Sequence, residues 1–210
     1  MPTTINTSVV NFFKSAVKKT KITEDRKELL LKISKTVATE LSSGAEVNLN
    51  FICTHNSRRS QIAQVWGFFF ADYFDLNIQS FSGGTEVTAF YRNSVKTLQS
   101  AGFLFQLQDF SHQNPKYSIS FGDKKKTITG FSKRYDHVEN KEPLIAITTC
   151  DSADAKCPFI PSALHRFHLP FTDPKFSDGT VNAENEYLKT NMQIASEIHF
   201  ILSEVKVILA

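Results

Sequence analysis

Cysteine is scarce in this chain: three residues in 210. That excludes the disulfide scaffolds that hold small secreted domains together, and it makes each thiol a candidate for catalysis, redox chemistry or metal binding. Net charge is also small, 24 basic residues against 21 acidic for +3, so no broad surface for nucleic acid or an anionic membrane is expected. No apolar run is long enough to span a bilayer. The opening Met1-Pro2-Thr3-Thr4-Ile5-Asn6 lacks the basic and then apolar layout of a secretory leader, so a reducing cytoplasm is the expected setting. The sequence shows no internal repeat and no low-complexity stretch. What it has in quantity is phenylalanine, 19 residues, which predicts a core rich in aromatic area.

Residues 1–46 read as a helical preface. Leu30, Ile33, Val37 and Leu41 fall at one-face helical spacing, and Glu24 and Asp25 suit a first turn behind Thr23. Val9, Val10, Phe12, Phe13 and Val17 predict a shorter helix upstream, and Ser42-Ser43-Gly44 closes the segment. The preface is read as a packing appendage, with a dimerisation element as the alternative. From residue 47 onward strand and helix alternate. Residues 47–53 predict a buried parallel strand, and 60–74 a helix with Ile62, Trp66, Phe69, Phe70 and Tyr73 inward. Residues 78–82 predict a short strand, Gly83-Gly84 a turn, and 89–101 a helix ending at Gly102. Tyr117, Ile119 and Phe121 alternate with Ser118 and Ser120, and Gly122-Asp123-Lys124-Lys125-Lys126 turns the chain before Thr127-Ile128-Thr129. This predicts an inserted β-hairpin within about 106–142. Residues 143–149 predict another apolar strand, and about 183–206 a closing helix with Leu188, Ile194, Ile198, Ile201 and Val205 inward. The alternation predicts an α/β fold with a parallel sheet. The expected organisation is a helical extension, 1–46, and a main domain, 47–210, that carries the insertion.

The strand 47–53 runs into Cys53-Thr54-His55-Asn56-Ser57-Arg58-Arg59-Ser60. A strand, a tight loop and a helix N-terminus make an oxyanion cradle, because the loop's N–H groups point inward and the helix dipole adds positive potential. Those groups and a nearby guanidinium favour the charged form of a cysteine, so Cys53 is expected as a thiolate nucleophile. Arg59 is expected to fork onto two oxygens of a tetrahedral anion. Ser60 can donate to the Cys53 sulfur. Asn56 can hold the loop through its amide and tolerates left-handed backbone geometry. The competing reading is a buried structural cysteine beside a chance arginine. Ligands of parallel sheets bind at the carboxyl ends of strands, where Cys53 falls.

The other two cysteines lie in Thr149-Cys150-Asp151-Ser152-Ala153-Asp154-Ala155-Lys156-Cys157-Pro158, directly after the strand 143–149. With small and polar residues between them, these thiols can approach each other if the segment is a loop or a short helix that loosens, which suits thiol–disulfide exchange. A metal site is one alternative, although the spacing is wider than that of zinc knuckles and the third cysteine sits in the anion loop. Two buried small residues are the other. The last candidate is Asp173, in Phe171-Thr172-Asp173-Pro174. Ester chemistry through a cysteine nucleophile needs an acid to protonate the leaving oxygen, and an ordinary turn aspartate is the competing reading. Asp178, before Gly179, fits a turn and is the poorer candidate for the acid.

Together these residues resemble a known family. Phe51-Ile52-Cys53-Thr54-His55-Asn56-Ser57-Arg58-Arg59-Ser60-Gln61 resembles the active loop of the low-molecular-weight protein tyrosine phosphatase superfamily, and within it the thioredoxin-coupled arsenate reductases. Ser82-Gly83-Gly84, the Cys150 and Cys157 pair with Pro158 and Pro161, and Asp173-Pro174 follow in that family's order. The resemblance covers about 47–207, interrupted near 106–142, and leaves the preface outside. It implies a low-molecular-weight-phosphatase-like fold, an α/β three-layer sandwich around a central parallel sheet of about four strands, and an arsenate reductase. Cys53 would attack arsenate held by Arg59 and by the loop residues Thr54, His55, Asn56, Ser57, Arg58 and Ser60. Asp173 would protonate the departing oxygen. Cys150 would attack the Cys53–arsenic adduct and release arsenite, and Cys157 would carry the disulfide to the surface for thioredoxin to reduce. The resemblance implies no bound cofactor and no metal, with thioredoxin as external electron donor. The alternative is a phosphatase-type hydrolase on phosphotyrosine or small phosphate esters, forming a phosphocysteine on Cys53 with Arg59 and Asp173 alone. A non-catalytic oxyanion-binding module is a third class, which the nucleophile–acid set argues against.

The sequence departs from the family pattern in places. Arg58 sits where many relatives carry a second loop cysteine and adds positive charge beside the anion site. His55 stands at a position that is often glycine. Gln64 replaces an acidic residue that helps a potassium site in some reductases, so that ion is not expected. Lys175-Phe176 replaces the tyrosine pair typical of the phosphatase branch, and the inserted hairpin is expected to reshape the substrate entrance.

Overall fold

Every residue from Val47 to Cys53 is buried, although Asn48 and Asn50 interrupt the apolar run. A strand buried on both faces belongs in the middle of a parallel sheet covered by helices. The computed structural model describes residues 7–122, 126–156 and 159–210. In chain order its elements are α1 (Thr7–Lys19), α2 (Glu24–Ser42), β1 (Val47–Cys53), α3 (Arg59–Tyr73), β2 (Ile78–Gly84), α4 (Arg92–Ser100), β3 (Leu104–Asp109), β4 (Lys116–Ser120), β5 (Thr127–Gly130), β6 (Leu144–Thr148), α5 (Asp151–Lys156), β7 (Ala163–His168), a 3₁₀ turn at Pro174–Ser177, and α6 (Ala183–Ile208). The central sheet has four strands in the order β2-β1-β6-β7, all parallel. The order reverses beside β1, between β2 and β6, so the carboxyl ends of β1 and β6 flank the crevice where such sheets bind ligands. Both cysteine motifs begin there. No helix among the described residues is long and apolar enough to cross a membrane.

The preface folds as its periodicity predicts. Thr23 caps α2 by accepting from the Arg26 N–H, and Leu30, Ile33 and Val37 are buried. Both preface helices enter the core of the main domain rather than making their own. Phe12 of α1 stacks on Trp66 of α3 with ring centroids 5.7 Å apart, and Phe13 meets Phe69, Phe70 and Tyr73. Four of the 19 phenylalanines, Phe12, Phe13, Phe69 and Phe70, meet in this seam, where edge-to-face pairs add to the area they bury.

Four expectations need correction. Gly83 and Gly84 end β2 instead of turning the chain. Close backbone passes explain the glycines, since a Cβ at Gly83 would collide with the Tyr135 backbone and one at Gly84 with Glu86 O. The insertion is a three-stranded antiparallel sheet, β3-β4-β5, and not a hairpin; of its second turn, residues 123–125 lie outside the described residues. Helix α4 starts at Arg92, three residues later than the pattern suggested, because Tyr91 takes an extended conformation at its N-cap. Leu188 is 36% exposed, and its neighbour Tyr187 faces inward instead, at 1%.

Candidate active site

Residues 54–58 make the whole connection from β1 to α3. Each carbonyl along it is held from outside. Cys53 O accepts from Thr85 N at 3.3 Å, and Thr54 O from Glu86 N at 2.8 Å. Ser132 Oγ and Thr88 Oγ1 donate to His55 O, Gln61 Nε2 to Asn56 O, and Tyr91 N to Ser57 O. None of the backbone N–H groups of residues 54–59 donates to an acceptor among the described residues. With the carbonyls turned away and bound, the unpaired N–H groups meet the N-terminus of the 15-residue α3. That arrangement is a nest for an oxyanion.

Asn56 shapes the loop. It sits at φ 45°, a left-handed conformation that asparagine tolerates better than most residues. Its Nδ2 donates to Ser60 Oγ at 2.9 Å, and its Oδ1 accepts from Lys133 N at 2.8 Å and Gln61 Nε2 at 3.1 Å. Ser60 Oγ lies 3.0 Å from Cys53 Sγ. Because that oxygen already accepts from Asn56, its own proton is available for the sulfur. Cys53 is buried, at 4% exposure.

The two loop arginines take different partners. Arg59 donates from Nη1 to Phe171 O at 3.0 Å and from Nη2 to Asp173 Oδ2 at 2.6 Å. Its Nε is buried and unpartnered among the described residues, so Nε and the second hydrogens of both terminal nitrogens are free for an anion. Asp173 Oδ1 accepts from Lys175 N and caps the 3₁₀ turn. Arg58 instead reaches Tyr187 Oη and Asp178 Oδ2, each at 2.6 Å, with its guanidinium 4.1 Å from the Tyr91 ring centroid. Burial works against the Arg58 charge, but the hydrogen bonds and charges of Tyr187 and Asp178 outweigh it and hold the guanidinium above its ordinary value. The extra charge expected beside the anion site is therefore neutralised by Asp178. The pattern around Asp178 suggested only a turn.

His55 lies on the rim, its Nε2 3.3 Å from Glu86 Oε2, and Glu86 also receives Lys156 Nζ at 2.9 Å. The hydrogen bond and charge of Lys156, with His55 beside them, hold the exposed Glu86 carboxyl below its ordinary range. A cavity of 240 Å³ opens next to the loop between His55, Ser57, Arg58, Tyr91 and Lys175. A larger one, 790 Å³, lies between α4 and α6 and reaches the site only through Tyr187.

Cys150 stands directly before α5. Its Sγ is 3.5 Å from Thr54 Oγ1 and accepts from Ala153 N at 3.4 Å. The two strand ends are stitched together by Thr149 N and Oγ1, which both donate to Ile52 O. Cys53 and Cys150 consequently share one buried cluster with Ile52, Ala153 and Ile160. Cys157 lies outside the described residues. Helix α5 is fastened to β6 and β7 through Asp154, which accepts from Thr148 Oγ1 at 2.7 Å and from Arg166, while His168 Nε2 of β7 meets Asp151 Oδ1 at 3.0 Å. Among the described residues no group of His, Cys, Asp and Glu side chains is arranged to hold a metal ion.

The loop's outer supports were not legible as functional residues. Ser132 and Lys133 lie 77 positions from the loop residues they bond, and a serine and a lysine at the exit of an insertion carry no motif. Tyr91 and Tyr187 read as ordinary helix residues.

No protein-family model matches the chain. Curated relatives do. An arsenate reductase of Brevibacillus brevis is 32% identical over 124 residues, 59% of this chain and 74% of that protein. One of Halalkalibacterium halodurans is 30% identical over 131 residues, 62% and 76% of the two chains, and one of Bacillus subtilis 29% over 130 residues, with the same coverage. Among solved structures, a mutant of YwlE from Bacillus subtilis aligns with a TM-score of 0.50 at 13% identity, covering 76% of this chain and 99% of that one. The YwlE arginine phosphatase with a phosphorylated active-site serine aligns with the same score and identity, covering 76% and 96%. At that identity the likeness is one of fold. From the curated relatives, the sheet order and the loop between β1 and α3, we conclude that this chain is an enzyme of the arsenate reductase family.

Proposed function

We propose that the protein reduces arsenate to arsenite with three thiols and an external dithiol donor of the thioredoxin kind. The observation that carries this reading is the placement of Cys150, whose sulfur is 3.5 Å from the hydroxyl of the residue following Cys53. Arsenate sits on the free N–H groups of the loop and on Arg59, with Thr54, His55, Asn56, Ser57, Arg58 and Ser60 shaping the rim. The Cys53 thiolate attacks arsenic, and Asp173 protonates the oxygen that leaves as water. The Cys150 thiolate then attacks the Cys53 sulfur. The sulfur–arsenic bond breaks with its electron pair going to arsenic, so As(V) leaves as As(III) arsenite and a Cys53–Cys150 disulfide remains. Cys157 attacks Cys150, frees Cys53 and forms a second disulfide, which the donor reduces. The thiols supply both electrons.

A phosphatase reading uses the same loop, Arg59 and Asp173, since arsenate and phosphate share shape and charge, and leaves Cys150 without a role. With thioredoxin, its reductase and NADPH, we expect arsenate-dependent NADPH consumption by the wild type and none by Cys150→Ser. In both proteins, phosphate should protect Cys53 from alkylation. Hydrolysis of a phenyl phosphate by both, with no arsenate-dependent consumption by either, would overturn the reductase reading.

A further inference from the structure

The segment 170–178 carries Asp173, and three arginines hold it. Arg59 takes its middle. Arg58 takes its end through Asp178. Its start is held by Arg26, from the preface helix α2, which lies outside the family resemblance. Arg26 Nη2 donates to Pro170 O at 2.9 Å, and its guanidinium carbon lies 5.2 Å from the Phe171 ring centroid. Glu197 of α6 fixes that guanidinium, accepting from Nε at 3.0 Å and Nη2 at 2.7 Å, and the Glu197 side chain is only 3% exposed. Phe171 in turn passes the constraint inward. Its N–H donates to Thr149 O beside Cys150, and its carbonyl receives Arg59 Nη1.

We propose that Arg26, oriented by Glu197, is a positioning residue for Asp173: the N-terminal extension fixes the start of this strap so that the acid meets Arg59 and the anion loop. The inference rests on Asp173 acting as the proton donor. The planar fork of arginine is what makes the arrangement possible, because one guanidinium satisfies a buried carboxylate and a carbonyl while lying against a ring. A lysine at the same place keeps the ion pair with Glu197 and cannot do all three.

The test compares wild type with Arg26→Lys and with Arg26→Met/Glu197→Met, the second leaving no buried charge unpaired. Amide hydrogen exchange across residues 171–178 is expected to quicken by about tenfold or more in both, with the interior of α3 unchanged. In the thioredoxin-coupled assay kcat is expected to fall by about ten- to a hundredfold, as for a misplaced catalytic group, with KM for arsenate kept within about twofold. In an Asp173→Asn background the Arg26→Lys change should cost no further activity. Unchanged exchange in the strap, or a loss that multiplies with that of Asp173→Asn, overturns the proposal and leaves Arg26 a stabilising ion pair. If wild type shows no arsenate turnover, the functional reading fails by itself, and the exchange measurement still decides whether Arg26 orders the strap.

Discussion

At Asn56 a single side chain joins two parts of the chain far apart in sequence: the start of α3, through Ser60 and the buried Gln61, and Lys133 at the exit of the insertion. Asn56→Ala leaves two buried donors, Lys133 N and Gln61 Nε2, and a buried acceptor, Ser60 Oγ, with fewer partners, and puts alanine, which tolerates left-handed geometry less well than asparagine, at positive φ. We expect it to cost about 3 kcal/mol, read as a lower urea midpoint. Lys133 presents the opposite case, a side chain that weakens the fold at neutral pH. It is 2% exposed, with the Phe131 ring 4.8 Å from its ammonium. Burial pulls it from 10.5 down to about 8, with Glu139 opposing and Lys116 adding to the fall. Between those two values the unfolded chain holds the proton and the folded one does not, so stability contributed by this group rises with pH across that window. Lys133→Met is expected to stabilise the protein at pH 7 by about 2 kcal/mol after loss of the cation–π contact, and the advantage should vanish towards pH 10 in thermal melts. The residues of the anion loop were legible because the chemistry fits within eight consecutive positions, Cys53 to Ser60. Lys133 was not, since nothing local distinguishes a buried lysine from a solvated one.

Among the elements, α5 is the one whose mechanical state the proposed relay depends on. It has six residues, too few to be stable without tertiary support, and that support comes through Asp154 and Asp151 from Thr148, Arg166 and His168. Asp154→Ala is expected to loosen the helix and raise the rate of Cys150 alkylation several-fold, measured by mass spectrometry of the modified peptide. Cys53 should be little affected, because its contacts lie in the loop. Unchanged Cys150 reactivity would show that the helix is held by its packing on Ile52 and Ile160 instead. The sequence indicated a loop or short helix here, and small polar residues after an apolar strand justify that reading. It gave no sign of β3 or a clear one of β7. β3 is exposed along nearly its whole length and β7 is an edge strand of mixed burial, so neither alternates cleanly. Strand assignment from pattern needs one buried face.

The whole molecule folds around the preface as much as around the sheet. Val9, Phe13, Leu30, Ile33 and Val37 are buried in the core that also holds Trp66 and Phe69, and each such side chain contributes about 1.5–3 kcal/mol. We infer that the extension and the main domain unfold together. Calorimetry should give one transition with equal calorimetric and van't Hoff enthalpies, and the fluorescence of Trp66, the single tryptophan, should follow the same curve because Phe12 stacks on it. A chain lacking residues 1–46 is expected to be insoluble. Two separate transitions would show instead that the extension unfolds on its own. The amphipathic stripes of these helices were plain in the sequence, but a stripe does not name the surface that covers it. A different consequence follows from the outward-held carbonyls of residues 53–57. Gly84 has no room for a Cβ, which would come within 2.8 Å of Thr54 O and Asn56 N, and the exit of the insertion bonds both Gly84 and Asn56. An engineer who transplanted Cys53 to Ser60 onto another scaffold would move the letters without their mould; residues 83–91 and 131–135 would have to travel with them.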